Sequence, residues 1–305
     1  MIKLHILITV LLFASLVPAV VQAKHAAHYI AKHRGTRAHV VKTKHNQRLI
    51  KKRSLHQPKV MSRAVVVVDL QTQRTLYAKQ ADRRMPIASL TKLMTAMIVL
   101  DSKRALIKPS RITDADVDRL KWSSSRLPVG SLLLRRTMLH IALMSSENRA
   151  AFALSRDFPG GRTHFVEAMN RKAQSLRMTH SHFVDPTGLS PRNVSTARDL
   201  ARLARAAYRY PTIREYATSR EKLVLGGDGP LMYHNTDPLV YNRSWNVLLQ
   251  KTGFTNEAGH CLIIVTMIRG RPTLFVLLGA PGSHAHFQDA ATLRSWLLRQ
   301  PARGR

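Results

Sequence analysis

Ser89 and Lys92 stand three residues apart in "PIASLTKLMTAMIVL", residues Pro86 to Leu100. Three residues along an α-helix rise roughly 4.5 Å and rotate a side chain to within about 60° of its starting direction, so the amine can reach the hydroxyl. A serine hydroxyl is a weak nucleophile until a base takes its proton, and a lysine partly removed from water can be that base. Unpaired backbone N–H groups at a helix start could then hold a developing oxyanion. The same letters also describe an N-cap serine followed by a solvated lysine. Ser219 and Lys222 have the same spacing in a polar stretch that opens no amphipathic helix, so spacing alone decides nothing.

Two further clusters carry complementary chemistry. Ser146-Glu147-Asn148 in "LMSSENRAA" sets a hydroxyl and an amide in a polar break between helical runs, and Lys251-Thr252-Gly253 in "LLQKTGFT" ends a β-rich run. Such tripeptides arise easily, as Ser244-Trp245-Asn246 shows. Order and separation carry the weight: 57 residues from Ser89 to Ser146, then 103 from Asn148 to Lys251. Ser-x-x-Lys, Ser-x-Asn and Lys-Thr-Gly in this order are the signature set of the active-site-serine penicillin-binding proteins and β-lactamases. The chain resembles that superfamily along nearly all of Ser62 to Leu298.

Within it, "VVDLQTQRTLYAKQADRRMPIASLTKLMTAMIVLD", "DPTGLSPRNVSTARDLARL" and "KTGFTNEAGHC" resemble the low-molecular-mass D-alanyl-D-alanine peptidases, in particular the type-7 DD-endopeptidases. The resemblance implies an α/β (α+β) fold of β-lactamase/DD-peptidase type. An antiparallel sheet of about five strands would be flanked by helices, with a helical subdomain beside it and the active site between. It implies Ser89 as the acylated nucleophile, Lys92 as its base and Ser146 as the relay of a proton to the leaving amine. Asn148 would bind the substrate's peptide, Lys251 and Thr252 its carboxylate, and Gly253 would let that carboxylate approach the strand. The backbone N–H groups of Ser89 and Phe254 would form the oxyanion hole. No metal and no cofactor enter this scheme. The implied partners are peptidoglycan stem peptides and cross-links, with β-lactam antibiotics as covalent inhibitors.

The activity expected is a penicillin-sensitive serine D-alanyl-D-alanine endopeptidase cleaving peptidoglycan cross-links through an acyl-enzyme on Ser89. A carboxypeptidase trimming stem peptides is the next reading, then a serine β-lactamase, then a non-catalytic basic cell-wall binder. Past Leu298 there is no room for the extra β-domain and amphipathic anchor that many carboxypeptidases of the family carry. Rapid deacylation of a β-lactam needs a placed glutamate. Glu167 in "VEAMN" is one residue short of the Glu-x-x-x-Asn pattern and shares an amphipathic helix with Phe165, Met169 and Leu176, so it reads as a surface side chain. One physical demand stands out: a free lysine titrates near ~10.4, so Lys92 needs desolvation or a cationic neighbour, for which Lys251 is the candidate.

The elements that must position these residues follow from periodicity. "AVVVVDLQTQRTLYAKQ" predicts a hairpin turning near Gln71 to Arg74. From Ser89, Leu90, Leu93, Met94, Met97 and Ile98 fall on one helical stripe with the serine at its start. "RRTMLHIALM", "NRAAFALSR", "THFVEAMNRKAQSL" and "TARDLARLARAAY" continue the helical period. After Pro211 strands return in "NVLLQKTGF", "HCLIIVTMIRG" and "PTLFVLLGA", and a helix closes the chain near His284 to Leu298. Strands at both ends and helices between predict one sheet assembled from the two ends of the chain, with a helical insertion.

The remainder of the chain sets its context. With 305 residues, 45% of them hydrophobic, the composition is globular and sufficient for a core. Residues 1–23 have Lys3 ahead of an apolar stretch and end in Val21-Gln22-Ala23, a cleavable signal peptide that sends the protein to the periplasm. Residues 24–60 hold eleven Lys and Arg and scattered histidines without neighbouring carboxylates, a flexible basic arm rather than a metal site. Residues 61–300 are the catalytic domain and 301–305 a tail. The formal charge is +32, which suits an anionic wall or membrane surface reached through the arm. Nucleic acid is disfavoured by export and by only 6% aromatic residues. Cys261, the single cysteine, lies in the apolar run "CLIIVTMI" and reads as a buried strand thiol.

Overall fold

The computed structural model describes residues 57–227 and 229–300. The expected signal segment, the tail and all but residues 57–60 of the basic arm lie outside the described residues. Five strands form one antiparallel sheet: β1 (Ala64–Asp69), β2 (Thr75–Lys79), β3 (Val247–Thr255), β4 (Gly259–Ile268) and β5 (Arg271–Ala280). Their spatial order is β2-β1-β5-β4-β3. The two ends of the chain meet where Val66 of β1 pairs with Val276 of β5, as the strand-helix-strand layout predicts. Asp289 fixes the entry to β1 by accepting from the Met61 and Ser62 amides at 2.8 and 2.6 Å.

Side chains alternate across the sheet, and each face has its own core. Val66, Ile263, Val265, Val276 and Leu278 pack with the helical insertion. Val65, Val67, Leu262, Ile264, Phe275 and Leu277 pack with Leu293 and Leu297 of the closing helix, residues Ala285–Arg299. Burial on both faces explains why these strands read as unbroken apolar runs rather than as alternation.

Six helices make up the insertion: α1 (Lys92–Asp101), α2 (Arg135–Met144), α3 (Asn148–Arg156), α4 (Gly161–Ser175), α5 (Ala197–Ala207) and α6 (Pro211–Thr218), and the closing helix is α7. α2 and α3 coincide with the periodic runs read from the sequence. α1 does not present the single stripe expected. Every residue from Lys92 to Val99 is buried, because α2 to α6 all pack against it, and a helix walled in on all sides carries no polar face.

Two other expectations need correction. Ser89 is not the first residue of that helix: Ala88–Thr91 form a 3₁₀ turn, and α1 begins at Lys92. Strands do not resume directly after Pro211 either. Proline takes the first turn of α6, where its missing N–H leaves no bond unmade. A hairpin, Glu221–Leu225 with Pro230–His234, follows before β3. No helix among the described residues is long and apolar enough to cross a membrane.

Candidate active site

The Ala88–Thr91 turn is held in a strained shape. Ala88 has φ of +46°, a conformation that costs a non-glycine residue about 1–3 kcal/mol unless its surroundings enforce it. The enforcing element is the loop 185–193. The Asp185 carboxylate accepts from the amides of Thr187 and Gly188, both at 2.7 Å, and of Ser190 at 3.0 Å. Asn193 closes the loop onto the turn, donating to Thr91 Oγ1 at 3.1 Å and to the Asp185 carbonyl at 2.8 Å. Gly188, with φ of +86°, lies so close that an added Cβ would stand 1.8 Å from the Ala88 carbonyl oxygen.

Ser89 therefore caps nothing: the turn and α1 begin at Ile87 and Thr91 without side-chain caps. Its Oγ instead accepts from Lys92 Nζ at 2.8 Å. The lysine also donates to Asn148 Oδ1 at 2.7 Å and to the Thr187 carbonyl at 3.1 Å. It is 1% exposed, and burial pushes its pKa down to about 7 against the pull of Asp185, Glu147 and Asp118. Desolvation, the first of the two causes considered for Lys92, is thus the one that acts; the repulsion between the two lysines is felt at Lys251, which burial and Lys92 together hold well below the ordinary range. An amine titrating near 7 is free to accept a hydroxyl proton at neutral pH.

The second wall comes from the α2–α3 junction. Ser146 has φ of +61° and Glu147 caps α3 by accepting from the Arg149 amide at 3.1 Å. Both Ser146 and Asn148 line the groove. Ser146 Oγ makes no hydrogen bond to another described residue. Asn148 is already engaged on both ends, Oδ1 with Lys92 and Nδ2 with Ser123 Oγ at 2.9 Å. In this state it orients the lysine rather than waiting unpaired for a peptide.

β3 forms the third wall. Lys251 and Gly253 are buried, whereas Thr252 and Phe254 point to the groove. A Cβ on Gly253 would lie 2.9 Å from the Ser89 amide nitrogen and 3.2 Å from that of Leu90. Only glycine lets the strand come level with the serine turn. Lys251 Nζ donates to the Thr252 carbonyl at 2.7 Å, and Thr252 Oγ1 shares a 2.6 Å hydrogen bond with Thr236 Oγ1. The three walls enclose about 380 Å³. A larger cavity of about 560 Å³ runs along α4 and holds none of these residues.

Ser123, Thr236, Asp185, Asn193 and Asp237 were not singled out from the sequence. "DPTGLSPRN" carried a partial signal, with Asp two positions before Thr and three before Gly, as in a carboxylate-closed turn. Ser123 and Thr236 carry none, because they reach the groove only through the packing of distant segments. Asp237 is fully buried, and burial raises its pKa to about 7 against the Leu239 amide and Lys251, which lower it. The bland readings hold elsewhere. Glu167 pairs with Arg171 at 3.6 Å and lines the α4 cavity rather than the groove that holds Ser89. Ser219 Oγ donates to the Glu215 carbonyl at 2.8 Å, and burial raises Cys261 to about 11.

A family model described as D-alanyl-D-alanine carboxypeptidase matches residues 51–282. The chain belongs to that family. It is an enzyme, a serine-type D-alanyl-D-alanine peptidase. A D-alanyl-D-alanine endopeptidase from Pseudomonas aeruginosa is 48% identical over 243 residues, covering 79% of this peptidase and 78% of the relative. A D-alanyl-D-alanine endopeptidase from Escherichia coli is 45% identical with the same coverage. Among solved structures, a Streptomyces DD-transpeptidase superposes with a TM-score of 0.75 at 26% identity, over 80% of this chain and 99% of that one.

Proposed function

We propose that the peptidase is a D-alanyl-D-alanine endopeptidase that cuts peptidoglycan cross-links through an acyl-enzyme on Ser89. The observation that carries it is Lys92, buried, shifted to about 7 and 2.8 Å from Ser89 Oγ. The kinship with proteins named endopeptidases supports the choice of bond. Lys92 takes the Ser89 proton as Oγ bonds to the D-alanyl carbonyl carbon, between the amides of Ser89 and Phe254. The C–N bond then breaks, and the amine leaves with a proton relayed through Ser146. Water attacks the acyl-enzyme, releases the D-alanyl carboxylate and restores the hydroxyl.

Thr252, supported by Thr236, and Lys251 behind it supply the carboxylate-binding side of the groove. Asn148 keeps Lys92 aimed and presents the remainder of its amide to substrate. Export to the periplasm and contact of the basic arm with anionic surfaces complete the reading. The test uses the purified protein and Ser89→Ala with labelled penicillin and cross-linked muropeptide dimers. Ser89-dependent labelling together with dimer cleavage is expected. No labelling overturns the acyl-enzyme, labelling without dimer cleavage moves the activity to carboxypeptidase, and rapid penicillin turnover moves it to β-lactamase.

A further inference from the structure

Four rings form a continuous wall at one end of the Ser89 groove. Phe254 of β3 stacks on His260 of β4 with centroids 4.2 Å apart. His260 stacks on His286 of α7 at 5.3 Å with planes 14° apart, and His286 lies against Phe287 at 3.9 Å. The β3–β4 register sets His260 opposite Phe254, and the docking of α7 on the sheet brings the other two. All four line the cavity that holds Ser89, yet the acylation chemistry uses none of these side chains.

Phe254 is the contact surface of this wall, and the rings behind it brace it. Phe254 is 53% exposed although its strand neighbours Lys251 and Gly253 are buried, so a large apolar face is held open to the groove. His286 is only 3% exposed, and its Nδ1 has no hydrogen-bond partner. The ring is stacked between His260 and Phe287, so it braces the stack that stands behind Phe254. Burial, His260 and His284 push its pKa down to about 4 despite Asp289. His260 is lowered as well, first by burial, so the rings stacked behind Phe254 are uncharged at neutral pH.

Strand geometry says which part of a substrate meets it. Gly253 is level with the Ser89 amide, and the side chains of Thr252 and Phe254 flank it along the groove, about 6.8 Å apart by strand rise. With the carboxylate side at Thr252, a chain whose scissile carbonyl meets Ser89 runs its acyl side past Phe254.

We propose that Phe254, braced by the stacked His260, His286 and Phe287, forms an acyl-side subsite that packs the aliphatic side chain of the residue preceding the scissile D-alanine. The proposal rests on the peptidase reading above. Methylenes laid on the exposed Phe254 ring lose water and gain dispersion contact.

Two cross-linked peptide dimers that differ only in that residue, Nε-acetyl-lysine or alanine, provide the test. The wild-type protein is expected to prefer the lysine dimer about tenfold or more in kcat/KM, the discrimination typical of a few methylenes in an apolar pocket. His286→Ala is expected to bring the ratio to within about threefold of one, and His286→Phe to keep it, since a flat ring is restored. The ratio is independent of the fraction of folded enzyme. A ratio unchanged in His286→Ala, or lost equally in His286→Phe, overturns the packing role. Wild-type labelling of Ser89 by penicillin without side-chain preference overturns the subsite alone, whereas absent labelling overturns the peptidase reading beneath it.

Discussion

Replacing Asn148 by aspartate tests the assignment of Lys92 as base without removing it. The amide oxygen lies 2.7 Å from Nζ, so Asn148→Asp sets a carboxylate at hydrogen-bond distance from the amine. At an effective dielectric of about 20, two unit charges at that distance attract by roughly 6 kcal/mol, an upper bound. If a third of this survives the desolvation of the new carboxylate, about 2 kcal/mol, the lysine rises by about 1.5 pH units. From about 7 it would move to roughly 8.5, and the neutral fraction at pH 7 would fall about fifteenfold. The assay is the second-order rate of acylation by a fluorescent penicillin between pH 5 and 10. Wild type should show an acidic limb near pH 7, and the variant a limb displaced upward by more than one unit with its loss recovered above pH 9. An unmoved limb, or a loss equal at every pH, would refute Lys92 as the titrating base.

The same burial makes Lys92 a stability determinant. Its pKa falls from 10.5 to about 7 on folding, so between those values the unfolded chain binds more protons and stability rises with pH; below about 7 both states are protonated and the full cost remains. Urea melts of wild type and Lys92→Met should therefore diverge in favour of wild type by about 3 kcal/mol between pH 6.5 and 9.5. Gly253→Ala brings a Cβ within 2.9 Å of the Ser89 amide nitrogen; acylation should drop about 100-fold or more, checked by penicillin labelling, because the atoms in the way are backbone. Thr236→Val removes the 2.6 Å partner of Thr252 and should raise KM for carboxylate-bearing peptides by several-fold, with a smaller change in kcat. Asp116→Ala strips a fully buried carboxylate from the partly exposed Arg156 and Arg162 and should lower stability by about 1–3 kcal/mol while sparing the groove's chemistry, as denaturation and labelling together would report.

Much of the site was legible because its three clusters are short and local. Ser89 and Lys92 share one turn of chain, and α2 and α3 meet at the expected polar break with Ser146 between them. Periodicity failed where burial was too complete to leave a pattern. α1 is enclosed by five helices, so the polar Lys92 and Thr95 lie inside among its apolar residues and no stripe distinguishes them. α6 falls where strands are expected directly after Pro211, because proline serves equally as a break and as the first turn of a helix. The loop that Asp185 closes meets Lys92 through the Thr187 carbonyl, 95 residues away, and Thr236 meets Thr252 across 16 residues.

By itself the sequence determined the three motifs, their order, the strand-helix-strand layout and the question of whether Ser89 and Lys92 are more than a cap and a charge. Tertiary structure decided the answer. Lys222 and Lys92 have the same spacing to a serine, but Lys222 sits on an outer hairpin and Lys92 is sealed beneath the serine turn. The difference is water. Desolvation by helices and a loop from elsewhere in the chain lowers the amine to about 7, and no local pattern encodes it, because burial is a property of what packs around a residue.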